Sequence, residues 1–201
     1  MALKIVEPRQ TPQDEGELIA ACIRGDRAAE RMLFAREYPR VNATVYRLLG
    51  ATRETDDLVQ ETFIAVFRAL PKFRGESKLS TWIDRIAVRV VFQFIGARKR
   101  QPIPLEFVPE RENADGNPRD RAAARDGLRR LYAALSRLKP EARMAFALYA
   151  IDGRSIAEVA RLTGTSTVTA KVRIWRARRD MAQRAASDPV LAEYLAEGRE
   201  P

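Results

Sequence analysis

The stretch that decides the fold is GRSIAEVARLTGTSTVTAKVRIWRARRDM, Gly153 to Met181. Ser155 and Glu158 stand three apart, the spacing of a capping box that opens a helix. Ile156, Val159, Ala160 and Leu162 give that helix an apolar side. Gly164 suits the left-handed stop after it, and Ser166 can cap a second helix at once. Two helices joined by a short glycine turn describe a helix-turn-helix. At about 100° per residue the second helix divides into faces. Ala170, Ile174, Ala177 and Met181 form a narrow apolar stripe that packs on the preceding helix. Thr167, Lys171, Trp175 and Arg178 point outward, Arg173 and Arg176 lie on the far flank, and Arg179 stands between the two cationic sides.

Donors, a cation and an aromatic near the N-terminal half of such a helix suit base edges in a major groove. Flanking arginines suit phosphates, which set position and affinity. Ser166, Thr167, Thr169, Lys171, Arg173, Trp175, Arg176 and Arg178 are therefore the candidate duplex-binding residues. The alternative is a solvated basic helix, with Trp175 only partly packed.

Composition agrees with a polyanionic partner. The 201 residues carry 36 Lys+Arg against 27 Asp+Glu, a formal charge of +9. A chain this basic points to nucleic acid or an anionic surface. There is no histidine and one cysteine, Cys22. Those counts exclude a histidine triad, a histidine-containing zinc site and an internal disulfide. Cys22 sits in the apolar pattern LIAACI and reads as a small core residue. No carboxylate spacing supports a metal site, so neither metal nor cofactor is expected. MALKIVEPRQTPQDE lacks the apolar core of a signal peptide, and no apolar run reaches the roughly 20 residues of a membrane span. The expectation is a cytoplasmic protein without membrane insertion, and not an enzyme.

Upstream, ELIAACI, AAERMLFAREY and RVNATVYRLLG repeat apolar residues at helical spacing. DDLVQETFIAVFRAL puts Val59, Phe63, Val66 and Leu70 inward and Asp57, Gln60, Glu61, Ile64 and Arg68 outward. That outward face is either a docking surface or a solvated one. QPIPLEFVPERENADGNPRD, with four prolines and no period, reads as a linker. LRRLYAALSRL places Leu128, Leu131, Leu135 and Leu138 on one face. The expected fold is all-α, two small helical domains on a flexible linker. The boundaries are a tail over 1–13, a first domain over 14–100, the linker over 101–121, a helix-turn-helix domain over 122–185 and a C-terminal tail over 186–201. In that tail Val190, Leu191, Tyr194 and Leu195 keep helical spacing, and a frayed end is expected over a docking helix.

DLVQETFIAVFRAL, then FRGESKLSTWIDRIA, then LKPEAR with GRSIAEVARLTG, resembles the extracytoplasmic-function (ECF) group of bacterial sigma factors. The resemblance runs from about Leu18 to Met181. It implies a sigma region 2 bundle and a sigma region 4 helix-turn-helix, in a subunit that directs core RNA polymerase to promoter DNA. It implies that Asp57, Gln60 and Glu61 dock on the coiled coil of the largest polymerase subunit. It implies that Phe73, Arg74, Gly75, Glu76 and Ser77 form a loop that captures a flipped base of the −10 element. A mobile glycine-containing loop can supply the pocket an unstacked base needs. Lys78, Arg85 and Arg89 would hold the single strand beside it, and Phe92 could stack. Trp82 either packs or touches DNA. Ala97 to Arg100 could contact upstream phosphates. Glu106, Glu110, Glu112 and Asp115 in the linker could mimic nucleic-acid charge. An anti-sigma factor is a further partner the resemblance implies. The chain departs from the family at Arg89, where Asn is common, and over Val90–Phe94, where small or polar residues are common. The rival is a stand-alone helix-turn-helix regulator, which leaves the Asp57 face and the Phe73–Ser77 loop unused.

Overall fold

The computed structural model describes residues 15–50, 52–98 and 118–197. Lys99, Arg100, Glu106, Glu110, Glu112 and Asp115 lie outside the described residues, as do 1–14. All regular structure among the described residues is helical. No helix among them is long and apolar enough to cross a membrane.

The first domain holds α1 (Glu15–Ile23), α2 (Arg27–Leu49), α3 (Glu54–Ala69) and α4 (Leu79–Ala97). The Asp26 carboxylate starts α2 by accepting from the Ala28 amide at 2.8 Å. The sequence reads two apolar segments here, yet α2 runs unbroken for 23 residues through Pro39. A proline inside a helix costs about 3 kcal/mol. Leu33 on one side of it and Val41, Val45, Leu48 and Leu49 on the other are all buried. Burying such a side chain returns about 1.5–3 kcal/mol each, so packing outweighs the lost hydrogen bond. The α3 stripe lies as its spacing requires, with Val59, Phe63, Val66 and Leu70 buried. Phe63 sits 4.5 Å from the ring of Phe34 on α2. Cys22 is buried among these apolar groups, and burial pushes its thiol up.

The second domain holds α5 (Pro118–Ser136), α6 (Pro140–Phe146), α7 (Ile156–Leu162), α8 (Thr167–Ala185) and α9 (Pro189–Glu197). Leu131 and Leu135 of α5 and Leu138 just after it are buried as expected, and Leu128 is half-buried. The C-terminal segment differs from a frayed end. Leu191 of α9 is buried against the cluster holding Leu131, Leu135 and Met181. Asp188 caps α9 by accepting from the Leu191 amide at 3.2 Å and pairs with Arg130 at 3.1 Å. That amide, then Arg130, holds its carboxyl below the ordinary value.

The two domains pack on each other. Met144, Ala145 and Leu148 join the core cluster that contains Val88 and Val91 of α4. After α6 the helix widens into a π turn over Ala147–Ile151, closed by the Asp152 amide on the Ala147 carbonyl at 2.9 Å. This turn delivers Asp152 and Arg154 to the first domain. Asp152 pairs with Arg47 of α2 and, at 2.7 Å, with Arg154. Arg154 reaches Asp84 of α4 at 3.3 Å, Asp84 pairs with Arg40 of α2, and Arg40 meets Glu37 at 2.7 Å. The Tyr132 hydroxyl donates to the Arg47 carbonyl at 2.8 Å, which satisfies the C-terminal end of α2.

Asp152→Ala would leave Arg47 and Arg154 facing each other without their carboxylate. Domain docking is expected to weaken by about 1–3 kcal/mol, less than a fully buried pair loses, because Arg47 is partly exposed. Small-angle scattering checks this. A larger radius of gyration with unchanged helical circular dichroism is expected, and an unchanged radius would count against it.

Candidate nucleic-acid and polymerase interfaces

The helix-turn-helix is built from its caps. Ser155 Oγ accepts from the Glu158 amide at 3.3 Å, and the Glu158 carboxylate accepts from the Ser155 amide at 3.0 Å. The Ser155 hydroxyl and amide hold the Glu158 carboxyl below the ordinary value. α7 ends at Leu162 and is capped by Thr163, and Gly164 follows with a φ of 64°, the left-handed conformation the turn requires. Ser166 Oγ accepts from the Thr169 amide at 3.1 Å and starts α8. Ala170, Ile174, Ala177 and Met181 are all buried, so the orientation of α8 follows from its small apolar stripe.

On the outer side of α8, Ser166, Thr167, Lys171, Trp175, Arg176 and Arg178 are exposed, while Thr169 and Arg173 are half-buried. Two of the cations rest on rings. The Arg179 guanidinium lies 5.2 Å from the Trp175 ring and that of Arg178 lies 5.0 Å from the Tyr149 ring. Trp175 is 59% exposed, so it is a surface group and not a packed one. Sequence reasoning missed two members of this face. Val168 is 72% exposed and Val172 is 40% exposed. The available signal was their spacing: they fall outside the Ala170–Ile174–Ala177–Met181 stripe and in line with Trp175.

In the first domain Asp57, Gln60, Glu61 and Arg68 are exposed along α3, with Ile64 at 52% exposure among them. The loop from Phe73 to Lys78 leaves α3 through a 3-10 turn over Leu70–Lys72. Phe73 is half-buried, its ring 5.1 Å from that of Trp82. Arg74, Gly75 and Glu76 are exposed at the tip, and Gly75 has a φ of 72°. Ser77 is half-buried, and the exposed Lys78 accepts at its carbonyl from the Trp82 amide at 3.1 Å. Trp82 thus anchors the loop from beneath.

Arg85 is half-buried on α4 and Arg89 is exposed. The Arg85 Nε is buried with no hydrogen-bond acceptor among the described residues. A cavity of about 370 Å³ opens between α4 and the helix-turn-helix, with Trp82, Arg85, Arg89 and Phe92 on one wall and Arg161 and Arg173 on the other. The structure therefore brings Arg85 and Arg89 together with Arg173. It leaves the Asp57 face and the outer stripe of α8 on separate surfaces. Within the Val90–Phe94 departure, Val90 and Val91 are buried while Phe92 and Gln93 are exposed.

Residues 33–101 match the family model of sigma-70 region 2, and residues 128–181 match that of sigma-70 region 4. The ECF RNA polymerase sigma-E factor of Escherichia coli K12 is 32% identical over 171 residues, 80% of this chain and 88% of that protein. The RNA polymerase sigma-H factor of Pseudomonas aeruginosa is 28% identical over 192 residues, 91% of this chain and 98% of that protein. Among solved structures, CnrH in complex with the cytosolic domain of CnrY is similar with a TM-score of 0.57 and 26% identity, covering 86% of this chain and 97% of that one. The sigma factor RpoE in complex with the anti-sigma factor NepR from Bartonella quintana gives a TM-score of 0.55 at 22% identity, covering 79% and 97%, and shows likeness of fold alone.

Ser166→Ala removes the acceptor of the Thr169 amide, and the expected loss is about 1 kcal/mol of stability. Thermal denaturation measures it. Ser166→Asp supplies another acceptor and is expected to recover most of the loss. Equal stability of all three proteins would mean that the cap is not formed.

Proposed function

The chain belongs to the ECF sigma factors of the sigma-70 family, non-catalytic subunits that direct RNA polymerase to promoters, and from this we propose which surface performs each task. The exposed Asp57, Gln60 and Glu61 on α3, with Ile64 beside them, dock on the coiled coil of the largest polymerase subunit. An apolar group within a polar rim suits such an interface. The tip Arg74–Gly75–Glu76, with Phe73 and Ser77, captures a flipped base of the −10 element. Lys78, Arg85 and Arg89 hold the strand by its phosphates. Ser166, Thr167, Thr169, Lys171, Arg173, Trp175, Arg176 and Arg178 bind the −35 duplex. The observation that carries this reading is the anchoring of α8 by its buried stripe, which leaves donors and cations outward on a capped helix-turn-helix.

Melting needs no catalytic group. It needs binding of the single-stranded form to exceed an unstacking cost of a few kcal/mol. The cavity of about 370 Å³ between Arg85, Arg89 and Arg173 is far too small for a duplex. Engagement of both elements therefore follows separation of the domains and rupture of the Asp84–Arg154–Asp152 network. Solved relatives are held by CnrY or by the anti-sigma factor NepR. A protein of that kind is a fitting partner for this chain, which works in the cytoplasm where polymerase is.

Runoff transcription with reconstituted core polymerase and a promoter library tests the whole assignment, since absence of promoter-specific initiation would overturn it. Lys171→Ala is expected to weaken −35 recognition about tenfold while core affinity persists. Glu61→Lys is expected to do the reverse, lowering core affinity and leaving duplex recognition by polymerase already assembled unchanged.

A further inference from the structure

Val168 and Val172 are exposed on the helix that faces DNA in the proposed assignment, and nothing in the fold accounts for them. Val168 is 72% exposed in the first turn of α8 and Val172 is 40% exposed one turn later. Neither belongs to the buried stripe that fixes the helix. Valine is a weaker helix former than the Lys or Arg that populate the rest of this surface. Local stability therefore does not call for it, and an apolar side chain in water gains nothing.

We propose that Val168 and Val172 determine promoter specificity by packing on the 5-methyl groups of thymines in the −35 element. The proposal rests on the assignment of α8 to the −35 duplex and goes beyond it by naming what is read. In the major groove thymine alone presents a methyl group, and apolar side chains are what recognise it. The two valines form one line with Trp175, and the donors Thr167 and Lys171 run alongside. An apolar strip bordered by donors matches the mixed edge of a groove better than it matches the apolar centre of a protein interface, where lysine is depleted. The rotamer chemistry also fits. A β-branched side chain in a helix is held near one χ1 value, so little freedom is lost on contact. Trp175 closes the strip at its far end, with Arg179 stacked on its ring. Four residues of helix rise about 6 Å, which is roughly two base-pair steps of about 3.4 Å. The two valines should therefore address thymines about two steps apart when α8 runs along the groove.

The test uses holoenzyme assembled from the full chain and core polymerase, on a promoter recovered from the runoff library. Thymines of the −35 element are replaced one at a time by deoxyuridine, which removes only the methyl group. At one or two positions binding is expected to weaken roughly three- to fivefold, the value of one buried methyl-sized group. Val172→Ala and Val168→Ala are expected to bind the thymine promoter less well, each losing the thymine–uracil difference at its own position. Val172→Thr, which replaces one γ-methyl by a hydroxyl and keeps the other, is expected to retain part of it. Lys171→Ala is expected to keep it. If no promoter supports initiation, the surface assignment itself fails and this inference with it. If initiation is promoter-specific but indifferent to uracil, or the recovered −35 elements contain no thymine, the inference alone fails. It also fails if the uracil effect survives unchanged in both alanine variants. Loss of binding to core polymerase in those variants would instead make the strip a protein contact.

Discussion

The arrangement of the molecule depends on one chain of charges, Glu37–Arg40–Asp84–Arg154–Asp152–Arg47, which ties α2 and α4 to the turn before the helix-turn-helix. Its carboxylates are deeply placed, with the Asp152 side chain 1% exposed and that of Asp84 7%. Removing such groups from water is expensive, and their attraction to arginine returns only part of the cost. Asp84 shows the imbalance. Burial pushes its carboxyl above the ordinary value even though Arg40 and Arg154 pull it down. Between that ordinary value and the raised one, the folded chain keeps a proton that the unfolded chain has released. Stability from this group therefore falls as pH rises through the window. A contact of this kind fixes geometry more than it adds stability, and it can be given up without great loss.

The apolar part of the interface has the same character. Met144 and Leu148 are fully buried within the cluster that includes Val88 and Val91. They come from a short helix and a π turn, not from a continuous sheet of contact. The cluster of Leu131, Leu135, Met181 and Leu191 belongs to the second domain alone. The second domain thus has one small core of its own, while Val159, Ala160, Ala170 and Ile174 of its helix-turn-helix share the cluster of the first domain.

This division explains what was legible in the sequence. Periodicity located the buried stripe of α8 residue for residue and that of α3 except for Thr55, Leu58 and Thr62, because a helix that packs on one side must repeat its apolar groups every three or four positions. Caps located the helix-turn-helix because Ser155, Glu158 and Ser166 act on amides only three residues away. What escaped was whatever depends on distant partners. Pro39 lies inside a helix because tertiary burial on both sides outweighs a local rule. α9 is ordered because Leu191 finds the Leu131 cluster and Asp188 finds Arg130, and neither partner is visible in its own neighbourhood. Asp84, on which the sequence pattern is silent, is buried where Arg40 and Arg154 arrive from two other elements. Val168 and Val172 escaped for another reason: attention to cations hid an apolar strip in plain sequence.

The compact state also separates two components of DNA recognition. Phosphate contacts supply most of the affinity, whereas base contacts supply the reading. With the domains together, Arg85 and Arg173 are half-buried at one narrow cavity, which the exposed Arg89 and Arg161 also line. The strip of Val168, Val172 and Trp175 stays open to solvent. On the proposed assignment, the closed state half-buries Arg85 and Arg173 while Lys171, Arg176 and Arg178 stay exposed. On that assignment, separation of the domains would free one half-buried cation for each element, Arg85 for −10 and Arg173 for −35. The Asp84 and Asp152 carboxylates make that step reversible. They hold the closed geometry by interactions that water and DNA phosphates can replace, since Arg154, Arg40 and Arg47 are each partly exposed already.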